Sequence, residues 1–105
     1  MEYSIKSVYN AGANVWDVEL NGEIDIFNSG EFKDALLELV ETRPISVHLH
    51  CENLEYVDST ALGSLVVVLK SVKNNGGDIV IHQLRSSLAK LFRITNLDKA
   101  FILEG

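Results

Sequence analysis

The chain has little cysteine and little proline: its 105 residues include one of each. A single thiol, Cys51, cannot form an internal disulfide, which excludes the disulfide framework of small secreted domains. Cys51 ends an apolar segment, so we expect a reduced thiol in the core. Apolar residues make up 47% of the sequence, and no low-complexity tract interrupts it. This composition predicts a single folded domain over residues 1–105 that needs no structural metal.

Basic residues are also few, and they are scattered along the chain. Nine Lys and Arg stand against fifteen Asp and Glu, which gives a net charge of −6. Nucleic-acid backbones and anionic membrane surfaces attract clustered Lys and Arg. We therefore expect neither nucleic acid nor a membrane as a partner.

Long hydrophobic runs are missing as well. The most apolar run, residues 65–69, is far too short to span a bilayer. The first residues, Met1-Glu2-Tyr3, lack the basic start and apolar stretch of a signal peptide. These features favour a cytoplasmic location.

The remaining pattern alternates between strand-like and helix-like segments. Residues 3–9 and 15–20 predict an antiparallel hairpin around a turn at residues 10–14, although the mixed pattern leaves open which face is buried. Residues 23–26 continue extended after the hairpin, and further strands are predicted at residues 45–51 and 78–82, with a short terminal strand at 100–103. Helices are predicted at residues 28–43 and 59–75, and a last helix has Ser86 or Ser87 as its N-cap. The sum is an α/β sandwich with a mixed, mostly parallel sheet of about five strands and three or four helices.

Two of the helices carry end signals. Asn28 is a candidate N-cap with Glu31 as its capping-box partner, and Pro44 ends that helix. In the second helix, residues 65–69 could form a strand by local propensity. Its length, the hydroxyl residues at its start and Gly76-Gly77 at its end favour a helix.

Asp58-Ser59-Thr60 is the most informative stretch. A hydroxyl at a helix start can be presented to another protein, and a phosphate there would add close to two negative charges. The residues alone favour ordinary capping, with Ser59 as N-cap and Asp58 as a turn residue, because Asp-Ser-Thr before a helix is common capping chemistry. Thr60 is a second possible acceptor, one step further into the helix.

Residues 54–63, Leu-Glu-Tyr-Val-Asp-Ser-Thr-Ala-Leu-Gly, resemble the signature of STAS domains, in particular of the bacterial anti-sigma-factor antagonists. Three other stretches are similar to landmarks of that family, and together they extend the resemblance over nearly the whole chain. They are residues 22–25 (Gly-Glu-Ile-Asp), 75–77 (Asn-Gly-Gly) and 91–97 (Leu-Phe-Arg-Ile-Thr-Asn-Leu). Two residues depart from the family pattern: Ala61 replaces a frequent Gly, and His50 replaces a frequent Asp.

The resemblance implies a STAS-like fold and a binding module that is not an enzyme and needs no cofactor. Its implied partner is an anti-sigma factor with serine kinase activity, which holds the ATP, and a serine phosphatase reverses the modification. Binding of the unmodified chain sequesters this kinase and releases a sigma factor. The acceptor position maps onto Ser59, and the implied partner-binding residues are Asp25, Asp58, Thr60, Ala61, Gly63 and Ser64. A non-phosphorylated STAS subunit of a stress-signalling or lipid-transport complex is the alternative.

Two other classes of site fit the residues poorly. A serine hydrolase would need Ser59, Asp58 and a histidine, but an acid adjacent to the serine is badly placed to orient an imidazole, and no Gly-x-Ser-x-Gly motif is present. His48, His50 and His82 could bind zinc. No Cys-x-x-Cys pattern accompanies them, and we expect helices to cover the sheet faces.

Overall fold

Strands and helices alternate along the chain in the computed structural model, which describes residues 2–105. The strands of the described part are β1 (Tyr3–Asn10), β2 (Val15–Ile24), β3 (Val47–His50), β4 (Leu54–Val57), β5 (Ile79–His82) and β6 (Ile102–Glu104). The α-helices in the same residues are α1 (Ser29–Thr42), α2 (Ser59–Asn74) and α3 (Ser86–Ile94). A short 3-10 helix, Leu97–Lys99, precedes β6.

The sheet has the order β1-β2-β3-β5-β6, with β4 also paired to β2. The hairpin β1–β2 is antiparallel, and every other pairing of these strands is parallel. The predicted mixed, mostly parallel sheet is therefore confirmed. The expected count of about five strands did not include β4, since no strand was predicted between residues 51 and 59. In β4 the two end residues, Leu54 and Val57, are buried and the two middle residues are exposed, so the strand lacks the alternation that marks a strand in sequence.

One face of the sheet forms the core. The sequence left open which face of the hairpin is buried. The structure shows that the buried face of β2 carries Trp16, Val18 and Leu20. The indole N–H of Trp16 donates to the carbonyl of Arg43, just past α1 (3.1 Å). All three helices contribute buried residues to the same core cluster, and Cys51 lies in it as a free thiol with 1% of its surface exposed. Burial raises the pKa of Cys51 to about 12, so this thiol stays protonated.

The opposite face of the sheet is open. Side chains from β1, such as Lys6 and Val8, are exposed there, and Val8 keeps 66% of its surface in solvent. The expectation that helices cover the sheet faces was wrong, because the helices bury their apolar residues against the core face. His48, His50 and His82 lie on the open face, since their strand neighbours Val47, Leu49 and Ile81 point into the core.

Gly22 lies inside β2 with a φ of +88°, where the pairing with β4 shifts register. A Cβ atom on this residue would lie 2.3 Å from the carbonyl oxygen of Glu2. Gly76, at the end of α2, has a similar φ of +83°, but a Cβ there would meet no atom within 4 Å. Alanine substitutions at the two positions therefore distinguish the cost of a left-handed backbone, which both share, from the cost of a steric clash, which only Gly22 has.

Gly76→Ala is expected to lower the free energy of unfolding by about 1–2 kcal/mol, the cost of a left-handed backbone. Gly22→Ala adds a backbone clash, and we expect a loss of about 3 kcal/mol or more. Urea denaturation of both variants beside the parent chain measures the difference. Equal losses would contradict the assignment of Gly22 to a close backbone contact.

Candidate functional site

Ser59 is the first residue of α2, and its side chain is exposed. The helix start expected near Ser59 or Thr60 is confirmed. The interpretation of Ser59 as the N-cap is wrong: Asp58 holds that position, with extended backbone (φ −102°, ψ −177°), and its carboxylate accepts the backbone N–H of Ala61 (2.9 Å). Ser59 therefore does not cap the helix, and its exposed side chain lies at the positive end of the dipole of the 16-residue α2.

The Asp58 carboxylate joins this helix end to the loop that follows β2. Besides the Ala61 N–H, it accepts the hydroxyl of Thr60 and, through Oδ2, the backbone N–H of Ile26 (3.0 Å). The Thr60 hydroxyl, together with these backbone N–H donors, lowers the pKa of Asp58 below its ordinary value. Asp58 is therefore a charged acceptor at neutral pH and fixes the loop beside Ser59.

Asp25 and Asn28 shape that loop from within. Asp25 is 5% exposed, and its Oδ1 accepts the backbone N–H of Phe27 (2.9 Å). Asn28 lies at the N-cap position of α1, yet its side chain accepts the N–H of Asp25 (2.8 Å) and donates to the carbonyl of Glu23 (3.0 Å). The predicted capping box is wrong, because Asn28 bonds backward to the loop and Glu31 accepts the hydroxyl of Tyr3 (2.8 Å).

The loop ends in an exposed apolar tip, which we define as Ile26 and Phe27. Ile26 is 65% exposed and Phe27 is 93% exposed. Sequence reasoning missed this feature because residues 23–26 read as extended, whereas β2 ends at Ile24. The available signal was two large apolar residues between Asp25 and Asn28, in a turn that offers no core position.

The family model of the STAS domain matches residues 10–104. The chain belongs to the STAS domain family. An anti-sigma-B factor antagonist of Staphylococcus epidermidis is 31% identical over 91 residues, which cover 86% of this chain and 84% of the relative. The family expected from residues 54–63 is therefore confirmed.

Solved STAS structures share the fold. A Thermotoga maritima protein superposes with a TM-score of 0.84 at 24% identity, covering 94% of this chain and 84% of that one. The Bacillus cell fate determinant SpoIIAA in its phosphorylated form has a TM-score of 0.73 at 13% identity, covering 97% of this chain and 92% of that one.

In this STAS domain, the residues predicted on α2 divide between surface and core. Thr60 and Gly63 are exposed, and Ser64 is half-buried. Ala61 is fully buried, so its side chain packs in the core and offers no surface to a partner. Val67, one turn beyond Gly63, is 46% exposed and extends the accessible strip of the helix.

The histidines of the STAS domain take no part in the Ser59 turn. His48 contacts His82, and His50 contacts Asp17, while within residues 2–105 no hydrogen bond connects Ser59 to an imidazole. A hydrolase triad at Ser59 therefore has no geometric support.

The described residues also contain no group of three or more His, Cys, Asp or Glu that could hold a metal ion. No helix among residues 2–105 is long and apolar enough to cross a bilayer.

Proposed function

We propose that this STAS domain is an anti-sigma factor antagonist whose binding is switched by phosphorylation of Ser59. The observation that carries the proposal is the exposed Ser59 at the start of α2, next to Asp58, which bonds the backbone of the apolar tip at Ile26. The Staphylococcus relative named an anti-sigma-B factor antagonist supports the class of partner.

A phosphate on Ser59 is compatible with the fold. The N-terminus of α2 has backbone N–H groups and a partial positive charge that favour an anion. Ser59 lies on the surface, so the modification requires no burial of charge. The phosphate would add about 1.5 to 2 negative charges next to the Asp58 carboxylate, and its effect falls on a docked protein through repulsion and desolvation.

The apolar tip supports a protein partner. A phenyl ring that is 93% exposed contributes nothing to the core, whereas aromatic side chains that are buried on docking supply much of the binding energy of protein interfaces. Thr60, Gly63 and Ser64 continue the same accessible region along α2. Asp58 positions the tip relative to Ser59, and Asp25 and Ala61 support the surface from beneath.

The proposed partner is an anti-sigma factor with serine kinase activity. The kinase holds the ATP: the Ser59 Oγ forms a bond to the γ-phosphorus, the bond from that phosphorus to ADP breaks, and a base of the kinase takes the hydroxyl proton. A serine phosphatase restores the hydroxyl by hydrolysis. This chain contributes the acceptor and the docking surface and performs no catalysis itself.

Incubation with a cognate kinase and ATP tests the acceptor. We expect one phosphate per chain, mapped to Ser59 by fragmentation mass spectrometry. Ser59→Ala is expected to abolish incorporation. Thr60→Val is expected to retain it, because Asp58 still accepts the backbone N–H groups of Ala61 and Ile26 in that variant. Phosphate on Thr60 of the parent chain, or undiminished phosphate incorporation in Ser59→Ala, would contradict the assignment of Ser59 as the acceptor.

A further inference from the structure

A cluster of three imidazoles lies on the open face of the sheet, outside the proposed docking surface. The register of the parallel strands pairs His50 of β3 with His82 of β5, and His48 precedes His50 by two residues on the same face. The ring centroids of His50 and His82 are 4.8 Å apart with an interplanar angle of 10°, and those of His48 and His82 are 5.0 Å apart at 26°. His82 thus lies within stacking distance of both other rings.

One contact in this cluster depends on the number of bound protons. The Nδ1 atom of His48 lies 2.8 Å from the Nε2 atom of His82, which requires one nitrogen to donate a hydrogen and the other to accept it. A single added proton on the pair keeps this hydrogen bond, since an imidazolium can donate to a neutral imidazole. When both rings are protonated, two N–H groups and two positive charges face each other and the bond is lost.

The third imidazole is held differently. The Nε2 atom of His50 is 2.8 Å from the Asp17 carboxylate on β2. Because a carboxylate only accepts, Nε2 donates in the neutral and in the protonated ring, and this contact survives acidification until Asp17 itself is protonated. The His50 hydrogen bond lowers the pKa of Asp17, which places its protonation well below neutral pH.

Other charged groups on this face do not remove the conflict between His48 and His82. Lys6 of β1 pairs in register with Glu19 of β2, and Glu19 pairs with His50. Glu52, after β3, lines a cavity of about 250 Å³ with Glu19 and His50. Glu104 of β6 approaches Nδ1 of His82 to 3.8 Å. These carboxylates can offset positive charge, but none of them restores a donor–acceptor pair between the two facing nitrogens.

We propose that the His48–His82 contact is an acid-sensitive latch that holds β5, and with it β6, against β3. Neutral rings close the latch, and protonation of both rings opens it. The device is independent of Ser59, since it acts on the open face and at the β5–β6 edge of the sheet. Acidification is expected to loosen this edge before the hairpin β1–β2.

The sign of the pH dependence follows from His82. Burial, followed by the charges of His50 and His48, lowers the pKa of His82 below its ordinary value of 6.5. The negative charges of Glu104 and Asp17 raise this pKa, but their effect is smaller. Below that ordinary value the unfolded chain binds more protons at this position than the folded chain does. Stability at this site is therefore complete at neutral pH and falls as the pH decreases through 6.5 toward the lower folded pKa.

The test compares urea unfolding of the parent chain and His82→Gln at pH 7.5, 6.5 and 5.5. Glutamine places an amide near the position of Nε2 and does not titrate. We expect the folding equilibrium constant of the parent to fall about tenfold for each unit that separates the folded and unfolded pKa of His82. His82→Gln should lose this component. His50→Gln should retain part of it, because the His48–His82 bond remains while the charge of His50 no longer lowers the pKa of His82. Equal pH dependence in the parent and His82→Gln would overturn the proposal.

Amide hydrogen exchange of the parent chain supplies a second readout that does not depend on any variant folding. On acidification from pH 7.5 to 5.5, the protection factors of β5 and β6 are expected to fall more than those of β1 and β2. A uniform decrease across the sheet, or no decrease, would contradict a local latch.

Discussion

Replacing Ser59 by aspartate is expected to weaken binding of the anti-sigma partner at least about tenfold, equivalent to about 1.4 kcal/mol. The new carboxylate stands beside Asp58, and a docking protein must desolvate both charges. The fold should tolerate the change, because an acidic residue in the first turn of α2 interacts favourably with the helix dipole, by about 0.3–1 kcal/mol. Titration calorimetry with the purified partner measures the affinity.

Ser86→Asp is the matched control for this experiment. Ser86 is also an exposed serine at the first position of a helix, and the substitution adds the same charge at the start of α3. We expect its affinity to equal that of the parent chain. Equal weakening by both variants would mean that net charge, and not the Ser59 turn, governs binding. A stable complex with transporter or scaffold subunits whose affinity is unchanged by Ser59→Asp would instead favour the alternative function, a non-phosphorylated STAS subunit of a larger complex.

Truncation of the apolar tip is expected to have an effect of similar size. Phe27→Ala removes a ring that is 93% exposed in the free chain, so the free energy of unfolding should stay within about 0.5 kcal/mol of the parent value. If the ring enters a pocket on the partner, its loss costs about 2 kcal/mol or more, which is roughly a thirtyfold weaker complex.

Val8→Ala provides the comparison for Phe27→Ala. Val8 is a comparably accessible apolar residue, 66% exposed, on the open face of the sheet. Its truncation should change neither the affinity nor the stability measurably. Retention of full affinity by Phe27→Ala would remove the apolar tip from the docking surface while leaving the role of Ser59 intact, because phosphate incorporation is measured separately.

The elements with strong local signals were predictable from the sequence. For α2, hydroxyl residues at the start and Gly76 at the end outweighed the strand propensity of residues 65–69, and the structure has a helix from Ser59 to Asn74. The serine turn itself was identifiable, because Asp58-Ser59-Thr60 follows an apolar segment and lies within the family signature.

The features that sequence reasoning missed depend on tertiary contacts. Strand β4 exists because residues 54–57 pair with the end of β2, across an irregular register that no local pattern announces. The loop that carries Phe27 is held by the hydrogen bond from the Ile26 N–H to Asp58, 32 residues away in the chain. Likewise, Arg85 and not Ser86 or Ser87 occupies the cap position of α3, since α3 begins one residue earlier than a hydroxyl cap requires.

The position of Trp16 has a practical consequence for these experiments. It is the single tryptophan of the chain, its side chain is 8% exposed, and its indole N–H is bonded to the Arg43 carbonyl. Its intrinsic fluorescence will therefore shift to longer wavelength when the core opens to water. The glycine and histidine substitutions can all be followed optically through this one native reporter, without attaching a dye or adding a second chromophore.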